Sequence, residues 1–365
     1  AYFILAANSW MQHPVGYRIN EESGRAELTD IVAVLTQNTA VAQFAHTMTA
    51  AFLVGGAFMA GIAAYHLMRG RHVAVMRTSL RVGLVTMVIA GALTAFTGDR
   101  LGKIMYDQQP MKMASAEALW DTEGPAPFSL FAVGDVENGH NEVAIEIPGL
   151  LSFLAHDNFS EEVPGINDLQ EQLEETYGPG DYRPNIPLAY WSFRWMIGFG
   201  MASTALGAAG LWLTRRRLWL SERLRTSEDE PPRLALTRDR TLSPALGGWY
   251  WRLMLLTMLF PLIANAWGWI FTETGRQPWV VYGVLPTASA VSPGVSQGEV
   301  LTSLVIYTVL YAVLAIVEVR LVVRYAKAGP PELTEADLNP PTRIGGGRAG
   351  ETAADRDDRP MAFSY

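Results

Sequence analysis

Two apolar segments carry side chains that can bind iron. His46 lies in a stretch without Asp, Glu, Lys or Arg, where an imidazole needs a hydrogen-bond partner or a metal. Met196 lies in another apolar segment, and Arg194 beside it needs an anion that a haem propionate would supply. A His and a Met from two helices predict a six-coordinate haem suited to electron transfer. The alternatives are a His46 hydrogen-bonded to a neighbouring helix and a Met196 that only packs.

A second candidate site lies in the Trp-rich segment 267–279. On a helix, Trp269 and Glu273 are one turn apart and share a face. A carboxylate at the end of an apolar helix needs a cation or hydrogen-bond donors. Glu273 and Arg276, packed with three Trp into 13 residues, exceed what membrane anchoring needs and are candidates for a binding site. The alternative is an aromatic belt closed by a purely structural Glu273–Arg276 pair.

A third group of polar residues lies between positions 107 and 120, just outside an apolar segment. Lys112 is one of three lysines among 28 basic residues. A basic side chain whose pKa shifts readily on burial is therefore rare in this sequence. Glu117 could accept a proton while Lys112 stabilises developing negative charge. Asp107 and Gln109 are candidates for the same site. The simpler alternative is surface charge with no role.

The elements that position these residues are predicted to be membrane helices. Five apolar segments can each hold a span of about 20 residues; they are 31–68, 82–98, 189–214, 253–272 and 301–317. Residues 1–12 are apolar from the first position and predict the end of a preceding helix. The fold class is therefore an all-α integral membrane protein, a bundle of five complete spans plus the end of another, with a large external loop.

Arginine-rich connections orient this bundle. They follow the first, third and fifth spans at 69–81, 215–225 and 320–327. By the positive-inside rule these connections and the C-terminus are cytoplasmic. Segments 11–37, 99–187 and 274–299 are then external.

The acidity of the chain belongs to one external loop. The chain has a net charge of −8, whereas residues 104–187 carry 16 acidic and two basic residues, a net charge of −14. Apolar patterning at 144–154 predicts some folded structure in this loop. The predicted domains are a haem-binding bundle at 1–327, which includes the loop 99–187, and a disordered cytoplasmic tail at 328–365.

Composition excludes several classes of protein. Without cysteine there is no disulfide, thiolate metal site or Cys-ligated iron–sulfur cluster. A chain that is 49% hydrophobic with a net negative charge is neither disordered nor a basic nucleic-acid binder. A haem protein that only relays electrons stays open, as does a transporter, although no internal repeat is evident.

In order and membrane placement, these motifs resemble those of subunit I of the cytochrome bd-type quinol oxidases. The resemblance rests on Gln-Phe-Ala-His-Thr at 43–47, the segment 107–120, Phe-Arg-Trp-Met at 193–196, and the segment 268–279. It extends from residue 1 to about residue 327, and its last motif is the most specific.

The resemblance implies a role for each haem-site residue. His46 and Met196 would ligate the low-spin haem b558, with Arg194 beside it. Glu273 would ligate a high-spin haem, normally b595. The residues close to that haem would be Trp269 and Arg276.

The external loop would oxidise quinol through Lys112 and Glu117. Electrons would then pass through haems b558, b595 and d to oxygen, which is reduced to water, and charge separation would generate a proton-motive force. The expected partners are a second membrane subunit, a small single-span accessory subunit and the lipid bilayer. The expected location is the bacterial plasma membrane.

Subunit I of this family begins with about three further spans and most of a fourth. These hold another haem ligand and acidic residues of the proton route. Residues 5–12 resemble the end of that fourth helix, so the sequence is expected to be part of a longer protein. The loop between the second and third complete spans corresponds to the short form found in some members.

Overall fold

The computed structural model describes residues 1–215, 234–237, 240–241 and 243–330. The chain divides into two compact units, Ala1–Leu314 and Ala315–Tyr365. The described part of the second unit is helical as far as Ala328. The predicted tail lies, from residue 331 onward, outside the described residues.

Helices make up most of the described chain. They are α1 (Tyr2–Gln12), α2 (Ile31–Thr36), α3 (Asn38–Leu67), α4 (Val73–Gln108), α5 (Pro110–Glu117), α6 (Leu150–His156), α7 (Ile166–Tyr177), α8 (Ile186–Leu213), α9 (Pro244–Leu256), α10 (Phe260–Thr274) and α11 (Gln297–Ala328). A short 3-10 helix covers Thr287–Ser289.

Within the described residues, four small antiparallel hairpins connect these helices. Their strands are β1 (Tyr17–Ile19) with β2 (Ala26–Leu28), β3 (Phe128–Asp135) with β4 (His140–Ile147), β5 (Ala235–Thr237) with β6 (Arg240–Thr241), and β7 (Trp279–Val281) with β8 (Leu285–Pro286). The spans are helical as predicted, and all of these strands lie in connections between them.

Four helical segments of the described chain are long and apolar enough to cross a membrane: Ile31–Leu67, Val73–Gln108, Ile186–Leu213 and Gln297–Ala328. A fifth would be the pair α9 and α10, whose axes differ by 43°. Pro261 causes this break, because it has no N–H to continue the helix and is tolerated only in a first turn.

The helix ends differ from the predicted spans at several points, and two of them bear on the site. The predicted first span is divided at Gln37, so that α2 and α3 are separate helices. Helix α4 continues without a break to Gln108, so residues 99–108 of the segment predicted to be external are helical. Hydropathy indicates where a helix can leave the membrane, not where the helix itself ends.

Small residues let α3 and α4 approach closely. A Cβ atom on Gly83 of α4 would lie 2.7 Å from the backbone nitrogen of Ala60 and 2.9 Å from the carbonyl oxygen of Gly56, both in α3. Backbone atoms cannot move aside as a flexible side chain can. The two helices therefore pack backbone to backbone, as small-residue helix pairs do in membranes.

A Gly83→Ala substitution is expected to destabilise the protein by about 1–3 kcal/mol through overpacking. Gly102→Ala, in the same helix, is the matched control, because a Cβ at that position would have no atom within 4 Å. That control should be neutral or stabilising, since Ala is a better helix former than Gly by about 1 kcal/mol. Thermal unfolding in detergent, followed by circular dichroism, measures both; equal midpoints would contradict the close contact.

Candidate functional site

The short helix α5 is the centre of the folded loop. Gln109 precedes it with a φ of −141° and a ψ of 64°, Pro110 occupies its first turn, and Ala118 ends it with a φ of 50°. Every side chain from Met111 to Glu117 is buried. Its residues contribute to apolar clusters with α6, α7, α8 and α10. Lys112 and Glu117 are thus held inside a packed core. This excludes the alternative that they are surface charges with no role.

Glu117 forms a buried ion pair with Arg194 of α8. Arg194 Nη2 donates to Glu117 Oε2 at 2.6 Å, and the two side chains are 9% and 1% exposed. The Glu117 carboxylate also accepts from the backbone N–H of Ser129 at 3.4 Å. The anion that Arg194 requires at this depth is therefore present within the chain.

Aromatic rings surround the guanidinium of Arg194. Its Cζ lies 4.6 Å from the ring centre of Tyr190 and 4.7 Å from that of Phe128. Nε of Arg194 is buried and has no acceptor among the described residues. Burial raises the pKa of Glu117 to about 6, while the charge of Arg194 opposes that shift. The carboxyl group therefore titrates near neutral pH.

Lys112 occupies a separate pocket between α1 and α10. Its Nζ donates to Gln12 Oε1 at 3.0 Å and to the carbonyl oxygen of Thr272 at 3.3 Å. It also lies 5.1 Å from the ring centre of Phe271. Burial, and then the charge of Arg276, lower the pKa of Lys112 to about 7, although Glu273 acts in the opposite direction.

Glu273 lies at the end of α10 with two partners. Arg276 Nη2 donates to its Oε2 at 2.5 Å, and Asn8 Nδ2 of α1 donates to its Oε1 at 2.8 Å. The Glu273 side chain is 45% exposed, whereas that of Arg276 is 5% exposed. Nε and Nη1 of Arg276 are buried without an acceptor among the described residues. Arg276 thus has donors left for a second anion.

His46 of α3 faces α4. Its Nδ1 lies 3.2 Å from Oγ1 of Thr97, within hydrogen-bond distance, and that hydroxyl can also donate to the carbonyl oxygen of Leu93 at 2.8 Å. When Nδ1 donates to the threonine oxygen, Nε2 keeps the lone pair with which an imidazole binds a metal.

Met196 of α8 lies against α10. A Cβ on Gly268 would lie 3.0 Å from the Met196 sulfur, so the absence of a side chain at Gly268 lets the thioether pack closely against α10. Trp269, the next residue in α10, is 43% exposed. Met196 and His46 belong to different helices, as predicted.

The predicted loop residues do not form one cluster. The side chains of Lys112 and Glu117 have different partners, in α1 and α10 for one and in α8 for the other. Gln109 is buried and donates to the carbonyl oxygen of Gln12 at 3.0 Å, whereas Asp107 is exposed.

Sequence reasoning missed Asn8 and Gln12 as members of the site. The signal in the sequence was a pair of amides one turn apart in the apolar helix α1. Such polar side chains need hydrogen-bond partners, and here they contact Glu273 and Lys112.

Comparison with known families decides the classification. Residues 1–330 match the family described as cytochrome bd terminal oxidase subunit I. The chain belongs to this family. The sequence-based recognition is confirmed, and so is the helical membrane fold.

Relatives of this bd oxidase subunit I chain are bacterial. A Bacillus subtilis (strain 168) protein named cytochrome bd ubiquinol oxidase subunit 1 is 36% identical over 330 residues, covering 90% of this chain and 65% of that protein. Cytochrome bd-II ubiquinol oxidase subunit 1 of Escherichia coli (strain K12) is 30% identical over 364 residues, covering 90% and 70%.

A solved structure has a similar fold. The bd oxidase from Geobacillus thermodenitrificans matches with a TM-score of 0.69 and 27% identity, over 90% of this chain and 67% of that chain. The bd oxidase chain described here therefore spans about two thirds of the length of the proteins it matches.

The Glu117–Arg194 pair gives a stability prediction. Arg194→Met alone is expected to cost about 3–5 kcal/mol, because it leaves a buried carboxylate without its cation. The double variant Glu117→Gln/Arg194→Met should lose much less than the sum of the two single variants.

An exposed pair in the same loop provides the control. Removing Arg183, whose partner Asp181 is 62% exposed, should cost less than about 1 kcal/mol. The measurement is the free energy of unfolding of the single and double variants in detergent. Additive losses in the double variant would show that the pair does not interact as the geometry requires.

Proposed function

We propose that this chain is the haem-containing subunit of a terminal quinol oxidase. It would take electrons from membrane quinol at the external face and deliver them to oxygen through haems b558, b595 and d. The observation that carries the proposal is the position of α5. Its buried Glu117 pairs with Arg194, which lies two residues before Met196. Its buried Lys112 contacts the carbonyl oxygen of Thr272, next to Glu273.

The residues fit a low-spin haem at His46 and Met196. His46 can bind iron through Nε2 while Nδ1 bonds to Thr97, and a thioether is the second ligand of many electron-transfer haems. The unused Nε of Arg194 can donate to a propionate without breaking the ion pair with Glu117.

The residues also fit a high-spin haem at Glu273. The carboxylate is accessible at 45% exposure, and a carboxylate is a weak-field ligand that leaves iron high-spin. The two unused donors of Arg276 suit a propionate, which would share this guanidinium with Glu273. Trp269 lies one turn from Glu273 and can form a wall of the same site.

Quinol oxidation needs an acceptor for two protons and two electrons. Above a pH of about 6 the Glu117 carboxylate is ionised and can accept a proton from a quinol hydroxyl. Lys112, in its separate pocket, would contribute a positive charge that stabilises negative charge developing at the quinol site. When bound, the haems supply one-electron carriers and an iron position for oxygen. Two quinols per oxygen molecule balance the four electrons of water formation.

The remaining features extend this proposal. Loop 99–187 would face outward and the C-terminus inward, in a bacterial plasma membrane. Protons released outside and taken up inside would then generate a proton-motive force. The subunit would assemble with a second membrane subunit and a small accessory subunit, and its domains would be 1–327 and a cytoplasmic tail at 328–365. Asp107 and Gln109 would belong to the quinol site, Gln109 through its bond to Gln12.

Optical spectra of the purified complex test the haem assignments. Met196→Leu is expected to abolish the low-spin signal, because leucine keeps the volume but has no sulfur ligand. Met201→Leu is the matched control, since Met201 lies in the same helix with 67% of its surface exposed. Glu273→Ala should remove or alter a high-spin haem and leave the low-spin signal intact. A low-spin signal that survives Met196→Leu would refute that ligand, and absence of a long-wavelength haem d band would favour a b-type relay.

The pH dependence of quinol-driven oxygen consumption tests Glu117. The rate should fall as the pH drops below about 6, because protonated Glu117 cannot accept a proton. Glu117→Gln should lower the rate by about 10²-fold and remove this acidic limb. Glu137→Gln, at an exposed loop position, should retain it. An unchanged limb in Glu117→Gln would assign the proton acceptor elsewhere.

A further inference from the structure

Two amides of α1 join the pocket of Lys112 to Glu273. Lys112 Nζ donates to Gln12 Oε1 at 3.0 Å, and Gln12 Nε2 donates to Asn8 Oδ1 at 2.7 Å. Asn8 Nδ2 then donates to Glu273 Oε1 at 2.8 Å. The three bonds form a continuous chain between residues that are 161 positions apart in the sequence.

The chemistry of its two ends fixes the direction of this chain. An ammonium group can only donate and an ionised carboxylate can only accept. Gln12 must therefore present its oxygen to Lys112 and its NH2 group to Asn8, and Asn8 must present its NH2 group to Glu273. All three N–H groups point toward the carboxylate, so each bond polarises the next.

Neighbouring contacts hold α1 in place. Gln12 is 5% exposed, and its carbonyl oxygen accepts from Gln109 at 3.0 Å. Ser9, which is fully buried, donates to Gln43 of α3 at 2.6 Å. The amides of Asn8 and Gln12 are thus presented from a fixed backbone.

We propose that Asn8 and Gln12 are positioning residues, Asn8 for the Glu273 carboxylate and Gln12 for the Lys112 ammonium. The proposal rests on the function proposed above, in which Glu273 ligates haem iron and Lys112 serves quinol oxidation. Neither amide contacts a reacting atom. Their shared bond makes the orientation of one functional group depend on that of the other.

The hydrogen-bond chain would act in one direction on a haem ligated by Glu273. A hydrogen bond to a ligating carboxylate withdraws negative charge from the oxygen and makes it a weaker donor to ferric iron. Removing that bond would therefore stabilise the oxidised iron and lower the reduction potential. Breaking the chain at Gln12, one residue further away, should act in the same direction but less strongly.

Three variants of the assembled oxidase test the proposal. Asn8→Leu removes the donor to Glu273, and Gln12→Met breaks the hydrogen-bond chain one bond earlier. Ser9→Ala changes a residue of the same helix that is not part of the hydrogen-bond chain. The main readout is the ratio of reduced to oxidised high-spin haem at a fixed applied potential, with that haem identified by its loss in Glu273→Ala. The second readout is the KM for a soluble quinol, and the low-spin signal reports on folding.

In Asn8→Leu the ratio should fall by about three- to tenfold. Gln12→Met should lower it by about twofold and raise the KM more than it lowers kcat, because Lys112 loses one of its two acceptors. Ser9→Ala should change both quantities much less, because the bond between Gln109 and Gln12 still holds α1. If Asn8→Leu does not accumulate, Asn8→Ser keeps a polar side chain too short to reach Glu273, and the same fall is expected.

Two results would overturn the proposal. One is a ratio of reduced to oxidised high-spin haem that is unaltered in both Asn8 variants, while the unmodified protein binds both haems and oxidises quinol. The proposed function would then stand without the hydrogen-bond chain. The other is an equal shift in Ser9→Ala, which would assign the effect to helix packing. An unmodified protein without a Glu273-dependent haem would overturn the proposed function and this inference together.

Discussion

The structure depends on the burial of two opposite charges in one eight-residue helix. An ionised group inside a protein is costly unless a partner compensates the loss of water. Glu117 finds its partner 77 residues away in α8, and Lys112 finds acceptors 100 residues away in α1 and 160 residues away at the end of α10. Because these partners come from three separate helices, satisfying the two charges determines how the loop sits on the helices that hold it.

The spacing of the two charges separates two chemical environments. Five residues of helix turn the chain by about 500°, so the side chains point about 140° apart. Glu117 consequently faces α8 and its aromatic rings, while Lys112 faces α1 and Arg276. Helix α5 therefore lies between the surroundings of Met196 and those of Glu273. A quinol bound against α5 would lie between the two candidate haem sites.

The sequence predicted the spans well, because long charge-free segments have few interpretations. It did not predict the tertiary contacts. Glu117 and Arg194 pair across 77 positions of sequence, and nothing in the pattern of residues indicates that pairing. The bend between α9 and α10 and the full length of α4 follow from local backbone geometry that a hydropathy pattern does not contain. Asn8 and Gln12 were missed because their partners lie more than 90 residues away.

Helix α4 is longer than the hydrocarbon core of a membrane is thick. Its 36 residues span about 54 Å, against a hydrocarbon core of about 30 Å. Only Gln109 separates its last turn from α5, and Lys103 on its outer part pairs with Asp157 of the loop at 2.6 Å. The direction in which the loop leaves α4 therefore depends on the rotation of its last residues about the helix axis. One residue inserted between 99 and 108 would rotate α5 by about 100° and carry both charges away from their partners. Between α4 and α8, insertions or deletions are compatible with this site only after α5, where they no longer change the rotation of α5 relative to α4.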